Sequence, residues 1–185
     1  MRGFLFGVLV TLLIIFLGGY FLLKQGYINF SADQESSPAE RHLAMSAVDA
    51  STDRHAPDLK NPVPASESDL AVGAKLYLDH CAGCHGVRSN PDAQFGRSFN
   101  PPVPQFFKEA PDMPENQNFY IVQHGIRWSG MPAWNKTLND TQIWQLVTFM
   151  SNIEKLPPAA LKLFEASSSA SSEVPESTGA APAKR

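Results

Sequence analysis

The sequence predicts an all-α protein in which a single membrane-spanning helix precedes a small helical domain. Three observations favour this class. Residues 3–23 form an uncharged apolar run, apolar residues recur at helical spacing in several later segments, and no βαβ pattern surrounds the two cysteines. The compact domain is expected over residues 66–165, with three to five helices and an unusual share of loop.

Composition narrows the range of partners. The formal net charge of −3 is small, so the sequence gives no reason to expect nucleic acid as a partner. Residues 166–185 contain mostly Ser, Ala, Pro and Glu, and this tail is expected to be disordered because it has too little apolar surface to bury.

The apolar run is predicted to be a transmembrane anchor over residues 1–24. A helix over residues 3–23 would be about 30 Å long, which is the thickness of a hydrocarbon core. A cleaved signal peptide is the alternative, but its apolar part would be shorter and would end in small residues. Tyr20 and Phe21 near the end of the run suit a membrane interface instead. The lipid bilayer is therefore expected to contact residues 3–23.

Residues 25–65 are expected to form a linker between the membrane and the domain. Within it, Ser37, Pro38 and Glu40 match a capping-box pattern at a helix start, and Leu43 and Val48 follow on one side. A short helix over residues 38–53 is therefore possible. The prolines at 62 and 64 would end this helix, and the chain around them is expected to be extended.

Three further helices are expected in the domain. The first runs from Ser66 or Ser68 to about Cys81, the next covers residues 116–124 with Gly125 at its end, and the last spans residues 139–154. A shorter helix over 158–165 is possible. Residues 86–115 are rich in Gly and Pro and lack helical periodicity. They are therefore predicted to form a long loop that wraps around another part of the domain or a bound group.

The chemistry is concentrated in Cys81-Ala82-Gly83-Cys84-His85, the C-x-x-C-H pattern of covalent haem attachment. The two thiols add to the two vinyl groups of haem, and the adjacent His85 places an imidazole nitrogen under the iron. A redox dithiol would be expected at a helix start after a strand, whereas this pair follows a helix. A structural zinc site needs four ligands, and the chain has no second cysteine pair. One haem c is therefore the expected cofactor.

A second axial ligand would close the iron to small molecules and favour electron transfer. Met113, His124, Met131 and Met150 are the candidates downstream. Met131 is preferred because Gly130 and Pro132 restrict the backbone around it. Met150 lies on the apolar face of the last helix and is expected in the core.

Residues 66–156, with the motifs CAGCH and GMPAW and the flanking helices, resemble class I cytochromes c, in particular the N-terminally membrane-anchored monohaem type. The resemblance implies that Gly73 and Tyr77 cross the last helix near Leu146 and Phe149. It also implies that a proline carbonyl, from Pro101 or Pro102, accepts a hydrogen bond from His85. Further contacts to the haem propionates are expected from Arg127, Trp128 and Trp134.

The expected function is single-electron transfer with iron held by His85 and Met131. The protein would act as a carrier, or as the cytochrome subunit of a respiratory or dehydrogenase complex, rather than as an enzyme with a small-molecule substrate. Its partners would be redox proteins at a bacterial cytoplasmic membrane, with the haem domain on the periplasmic or other extracytoplasmic side. Two alternatives stay open: a haem enzyme or gas sensor with an open iron position, and a membrane-tethered thiol oxidoreductase that uses Cys81 and Cys84.

Overall fold

The computed structural model describes residues 1–158 and 160–162. The chain divides into two compact units, Met1–Gln34 and Glu35–Arg185. Across the described residues every regular element is a helix, apart from an isolated β-bridge between Val87 and Asn90. The all-α prediction is therefore confirmed. The predicted tail at 166–185, and the end of the possible helix at 158–165, lie outside the described residues.

The first unit contains helix α1, Arg2–Lys24. This helix is long and apolar enough to cross a membrane, and none of its residues is buried within the protein. It ends at Gly26, which has a φ of +73°. The amide of Tyr27 donates to the carbonyl oxygen of Leu22 over 3.1 Å, so the carbonyls of the last turn are partly satisfied by the turn itself.

The second unit contains six α-helices in its described part: α2 (Pro38–His55), α3 (Glu67–His80), α4 (Ala82–His85), α5 (Gln94–Arg97), α6 (Glu115–His124) and α7 (Asp140–Ser151). A 3₁₀ turn, Trp134–Lys136, precedes α7. The observed α2 extends two residues beyond the predicted 38–53. The short α5 lies in the stretch that the sequence indicated as loop, where four residues are too few to produce a periodic pattern.

Side-chain caps fix where the main helices begin. The hydroxyl of Ser66 accepts a hydrogen bond from the amide of Asp69 at the start of α3. At the start of α7, Asn139 and Gln142 form a reciprocal capping box with both bonds at 3.0 Å. These caps satisfy amides that would otherwise lack partners in the first turn.

The core is built where α3 crosses α7. A Cβ added to Gly73 would overlap the carbonyl oxygen of Gln145 and would lie 2.7 Å from the Cβ of Phe149, so the two backbones meet directly at this glycine. The ring of Tyr77 packs against that of Phe149 with 5.3 Å between centroids, and both side chains are fully buried. The predicted contact of Gly73 and Tyr77 with Phe149 is confirmed, and Leu146 is buried in the same core.

Candidate functional site

The C-x-x-C-H motif forms a helical turn of its own directly after α3. Cys81 ends α3 and begins α4, and its carbonyl oxygen accepts from the amides of Cys84 and His85 over 3.0 and 2.9 Å. The turn then stops at Gly86, whose φ of +80° favours glycine. The hydroxyl of Tyr77 donates to the Gly86 carbonyl over 2.9 Å and ties this stop to the buried face of α3.

His85 is oriented by a stacking contact of its ring and by a hydrogen bond of one ring nitrogen. Its Nδ1 lies 2.8 Å from the carbonyl oxygen of Pro104, and because a carbonyl can only accept, Nδ1 carries the proton. The ring stacks on Phe106 with 4.3 Å between centroids and 7° between planes. Burial lowers the pKa of His85, partly opposed by the bond to Pro104. A neutral imidazole with its proton on Nδ1 leaves the Nε2 lone pair free for a ligand.

The acceptor for His85 was predicted as Pro101 or Pro102, and this prediction is wrong. The imidazole is instead hydrogen-bonded to the carbonyl oxygen of Pro104, which lies 2.8 Å from Nδ1. The reason is that the amide of Val103 donates to the carbonyl oxygen of Gly96 over 3.0 Å. That bond holds the loop against α5 one residue before Pro104. Spacing alone did not distinguish three prolines in a run of four residues.

Gln105 is a site residue that the sequence analysis missed. Its Nε2 donates to the carbonyl oxygens of Cys84 and Val103, each over 2.9 Å, and its Oε1 accepts from the amide of Ala93 over 2.7 Å. One amide side chain therefore joins the C-x-x-C-H turn to both sides of the following loop. A single polar residue after a run of prolines was the only signal in the sequence.

Met131 lies in a loop that is attached to the end of α6. Gly125 ends α6 with a φ of +68°, and a Cβ there would lie 2.6 Å from the backbone carbon of Pro132 and 2.7 Å from the Met131 carbonyl oxygen. The amide of Ile126 donates to that same oxygen over 3.1 Å. The Met131 side chain is partly buried against the hydrophobic core. Its backbone is thus held from the α6 side by direct contact.

A further contact joins the loop that follows the His85 turn to the loop that carries Met131. A Cβ added to Gly130 would overlap the ring of Phe99, so the phenylalanine ring packs directly on the backbone just before Met131. Gly96 in α5 is similarly close to the carbonyl oxygen of Cys84. The chain from Cys84 through α5 to Phe99 therefore links the two predicted iron ligands through a series of backbone contacts.

The remaining predicted residues lie in different surroundings. Trp134 is partly buried against the core, and its ring is 4.9 Å from that of His80. Arg127 is exposed, and Trp128 is 95% exposed with a φ of +62°. Of the other ligand candidates, Met150 is buried in the core as expected, and His124 is exposed beside Tyr120.

The cysteine environment is unlike that of a reactive dithiol. Cys81 is 8% exposed, and burial together with the neighbouring Cys84 raises its pKa to about 12. Burial also raises the pKa of Cys84. Thiol oxidoreductases depend on a thiol with a lowered pKa, because the thiolate is the nucleophile. Among the described residues, no group of three or more His, Cys, Asp or Glu side chains is placed to complete a zinc site.

Residues 68–150 match the protein family described as cytochrome C oxidase, cbb3-type, subunit III. This segment is therefore similar to a cytochrome c domain. The match begins inside α3 and ends one residue before the end of α7, so it spans the whole candidate site. No curated protein matches the chain.

The similarity to a cytochrome c domain implies haem c, and the residues present fit that group. Cys81 and Cys84 are three residues apart on the same helical turn. The protonated Nδ1 of His85 leaves Nε2 free as a ligand. The matched segment also contains Met131, a soft thioether on a restrained loop. Two thiols, an imidazole and a thioether are the donor set that attaches and ligates haem in electron-transfer cytochromes.

Proposed function

We propose that this protein transfers single electrons through one haem c that is attached covalently to Cys81 and Cys84, with His85 and Met131 as the axial ligands. Haem iron held in this way supplies a one-electron Fe(III)/Fe(II) couple with no open position for a substrate. The protein would therefore be an electron carrier, either free or as the cytochrome subunit of a respiratory or dehydrogenase complex, and not an enzyme.

The bond from His85 to Pro104 is the observation that carries the proposal. It fixes the tautomer and the ring plane of His85 before any ligand binds, and it makes Nε2 a better electron donor. The stacked ring of Phe106 limits the rotation of the imidazole in the same way. An imidazole held by a backbone carbonyl is a common arrangement for a metal-bound histidine and has no evident use in a thiol oxidoreductase.

The chain also restrains the second proposed ligand, the thioether of Met131, by fixing the backbone of that residue. Gly125 and Ile126 hold the carbonyl oxygen of Met131, and Ser129 accepts from the amide of Met131 over 3.1 Å. A methionine side chain has three rotatable bonds, so fixing its backbone reduces the entropy that ligation would cost. Met131 would keep other ligands away from the iron and would favour the reduced state.

Helix α1 supports a location at the membrane. As an uncleaved helix across the bacterial cytoplasmic membrane, α1 would confine the haem domain to the extracytoplasmic face, where its redox partners are membrane proteins. The family matched by residues 68–150 is named for a subunit of a cytochrome oxidase, which supports a role as one subunit of such a complex. Contacts with a redox partner would be small and transient if the domain acts as a carrier.

Intact mass spectrometry of the full chain, produced with a cytochrome maturation system, tests the proposal. The expected mass is that of the chain plus one haem, and the Cys81→Ser/Cys84→Ser variant should lose that increment completely. His85→Ala should leave little stable holoprotein, because the ligand that orients the iron is gone. A wild-type chain that carries two free thiols and no haem would contradict the proposal and favour the thiol oxidoreductase.

A further inference from the structure

Residues 52–64, which we call the strap, precede the cytochrome c domain and contact two of its helices. The sequence analysis placed this stretch in a linker, and the family match begins only at residue 68. Thr52 at its start is 3% exposed, although α2 is otherwise exposed over most of its length. A threonine buried in an exposed helix indicates that this end of α2 lies against another part of the unit.

The first set of strap contacts is with α6. The side chain of Gln117 donates to Asp53 over 2.7 Å, and the side chain of Asn116 donates to the carbonyl oxygen of Pro57 over 3.0 Å. The ring of His55 stacks on that of Tyr120, with 6.5 Å between centroids and 17° between planes. These contacts cover the first two turns of α6.

The second set of strap contacts is with α7. The side chain of Asn61 donates to the hydroxyl of Thr148 over 2.9 Å, and Thr148 is 2% exposed. Asn61 also accepts from the amide of Val63 over 2.9 Å, which folds the strap so that Val63 packs against the hydrophobic core. The strap therefore passes from α6 to α7 and is anchored by a polar pair on the buried side of α7.

The other end of α6 holds the Met131 loop through Gly125. An element that fixes the first turns of a ten-residue helix also fixes the direction in which its last turn points, because a short helix moves as a rigid body. Movement of α6 against α7 would displace the carbonyl oxygen of Met131 that Gly125 and Ile126 contact.

From these contacts we infer that the strap belongs to the cytochrome c domain and that Asp53 and Asn61 are positioning residues, which orient α6 and through it the Met131 loop. The consequence for Met131 as an iron ligand rests on the proposed function. The inferred orientation of α6 does not depend on the proposed function. It follows too that residues 52–64 are not part of a flexible tether, so the linker is shorter than the predicted 25–65.

Hydrogen exchange measured by mass spectrometry on the full-length holoprotein tests the inference. In the Asp53→Ala/Asn61→Ala variant, amides of residues 115–124 should exchange about tenfold faster, and those of 126–134 should follow. The near-infrared charge-transfer band of the ferric thioether-ligated haem should weaken, and the midpoint potential should fall. Asp49→Ala is the control matched in charge, since it also removes one negative charge and lies outside the strap, and the Asp49 side chain makes no hydrogen bond or ion pair with the described residues. It should leave all three readouts unchanged.

Unchanged exchange over 115–124 would overturn the inference. So would faster exchange over 115–124 while residues 126–134 and the charge-transfer band stay as in the wild type, because α6 would then not transmit the effect to Met131. If the wild-type protein itself lacks the charge-transfer band, the proposed ligation fails. The exchange rates over 115–134 would still decide whether the strap positions the loop.

Discussion

Gly125 and Met131 are in backbone contact: a Cβ on Gly125 would lie 2.7 Å from the Met131 carbonyl oxygen. The end of α6 and the loop with the proposed iron ligand therefore form one structural piece. Since the φ of Gly125 is +68°, both its backbone conformation and its lack of a side chain are needed there.

Gly125→Ala should consequently disturb the Met131 loop. With φ +68° and ψ −174°, Gly125 is in a backbone region that essentially only glycine adopts, which costs another residue about 1 to 3 kcal/mol. The added methyl group would also collide with Pro132. We expect a lower thermal midpoint and a weaker near-infrared band in the ferric holoprotein. Gly19→Ala is the control, because a Cβ at Gly19 meets no atom within 4 Å and Gly19 lies in α1, outside the haem-attachment motif. Equal behaviour of the two variants would show that the contact is unimportant.

Gln105→Ala should destabilise the holoprotein by on the order of 3 kcal/mol. The substitution removes the partner of one amide and two carbonyl groups, those of Ala93, Cys84 and Val103. Urea unfolding followed by tryptophan fluorescence measures the change in free energy. Gln94→Ala, an exposed glutamine in α5, should differ little from the wild type. A similarly small change for Gln105→Ala would refute the role of Gln105 in joining the two loops.

Gly73→Ala gives a test in which two effects have opposite signs. Helix propensity alone would stabilise α3 by about 1 kcal/mol. The added methyl group, however, would overlap the carbonyl oxygen of Gln145 and force α3 and α7 apart, which costs about 1 to 3 kcal/mol or more. We expect a net loss of thermal stability, and a rise in the midpoint would show that the two backbones are not in contact.

Asp69→Asn should reduce stability at neutral pH and lose its effect in acid. The pKa of Asp69 is lowered from 3.8, first by the hydrogen bond from Gln145 and then by that from Ser66. A carboxylate with a lowered pKa stabilises the folded state above its unfolded pKa, and this contribution disappears as the pH falls through the folded value. Denaturant unfolding at pH 7 and below pH 3.8 should therefore show a difference that shrinks in acid. Asp112→Asn, at an exposed aspartate, is the control. If the difference in unfolding free energy between the wild type and Asp69→Asn stayed constant with pH, the lowered pKa of Asp69 would be contradicted.

Local sequence signals predicted much of the fold. Ser66 and Asn139 marked helix starts because capping depends only on neighbouring residues, and Gly73 and Phe149 were identified through the resemblance. The role of Gln105 depends on three partners far apart in the chain, so no local pattern indicates it. The choice of Pro104 over Pro101 or Pro102 depends likewise on the long-range bond between Val103 and Gly96.

The absorption spectrum of the detergent-purified full-length protein, oxidised and reduced, tests the central claim most directly. We predict a low-spin spectrum with sharp α and β bands on reduction and a weak near-infrared band in the oxidised form. Met131→Leu should abolish that weak band, while Met113→Leu should leave it intact. A high-spin spectrum that shifts readily with carbon monoxide would contradict the account, since the iron would then have an open position suited to a haem enzyme or gas sensor.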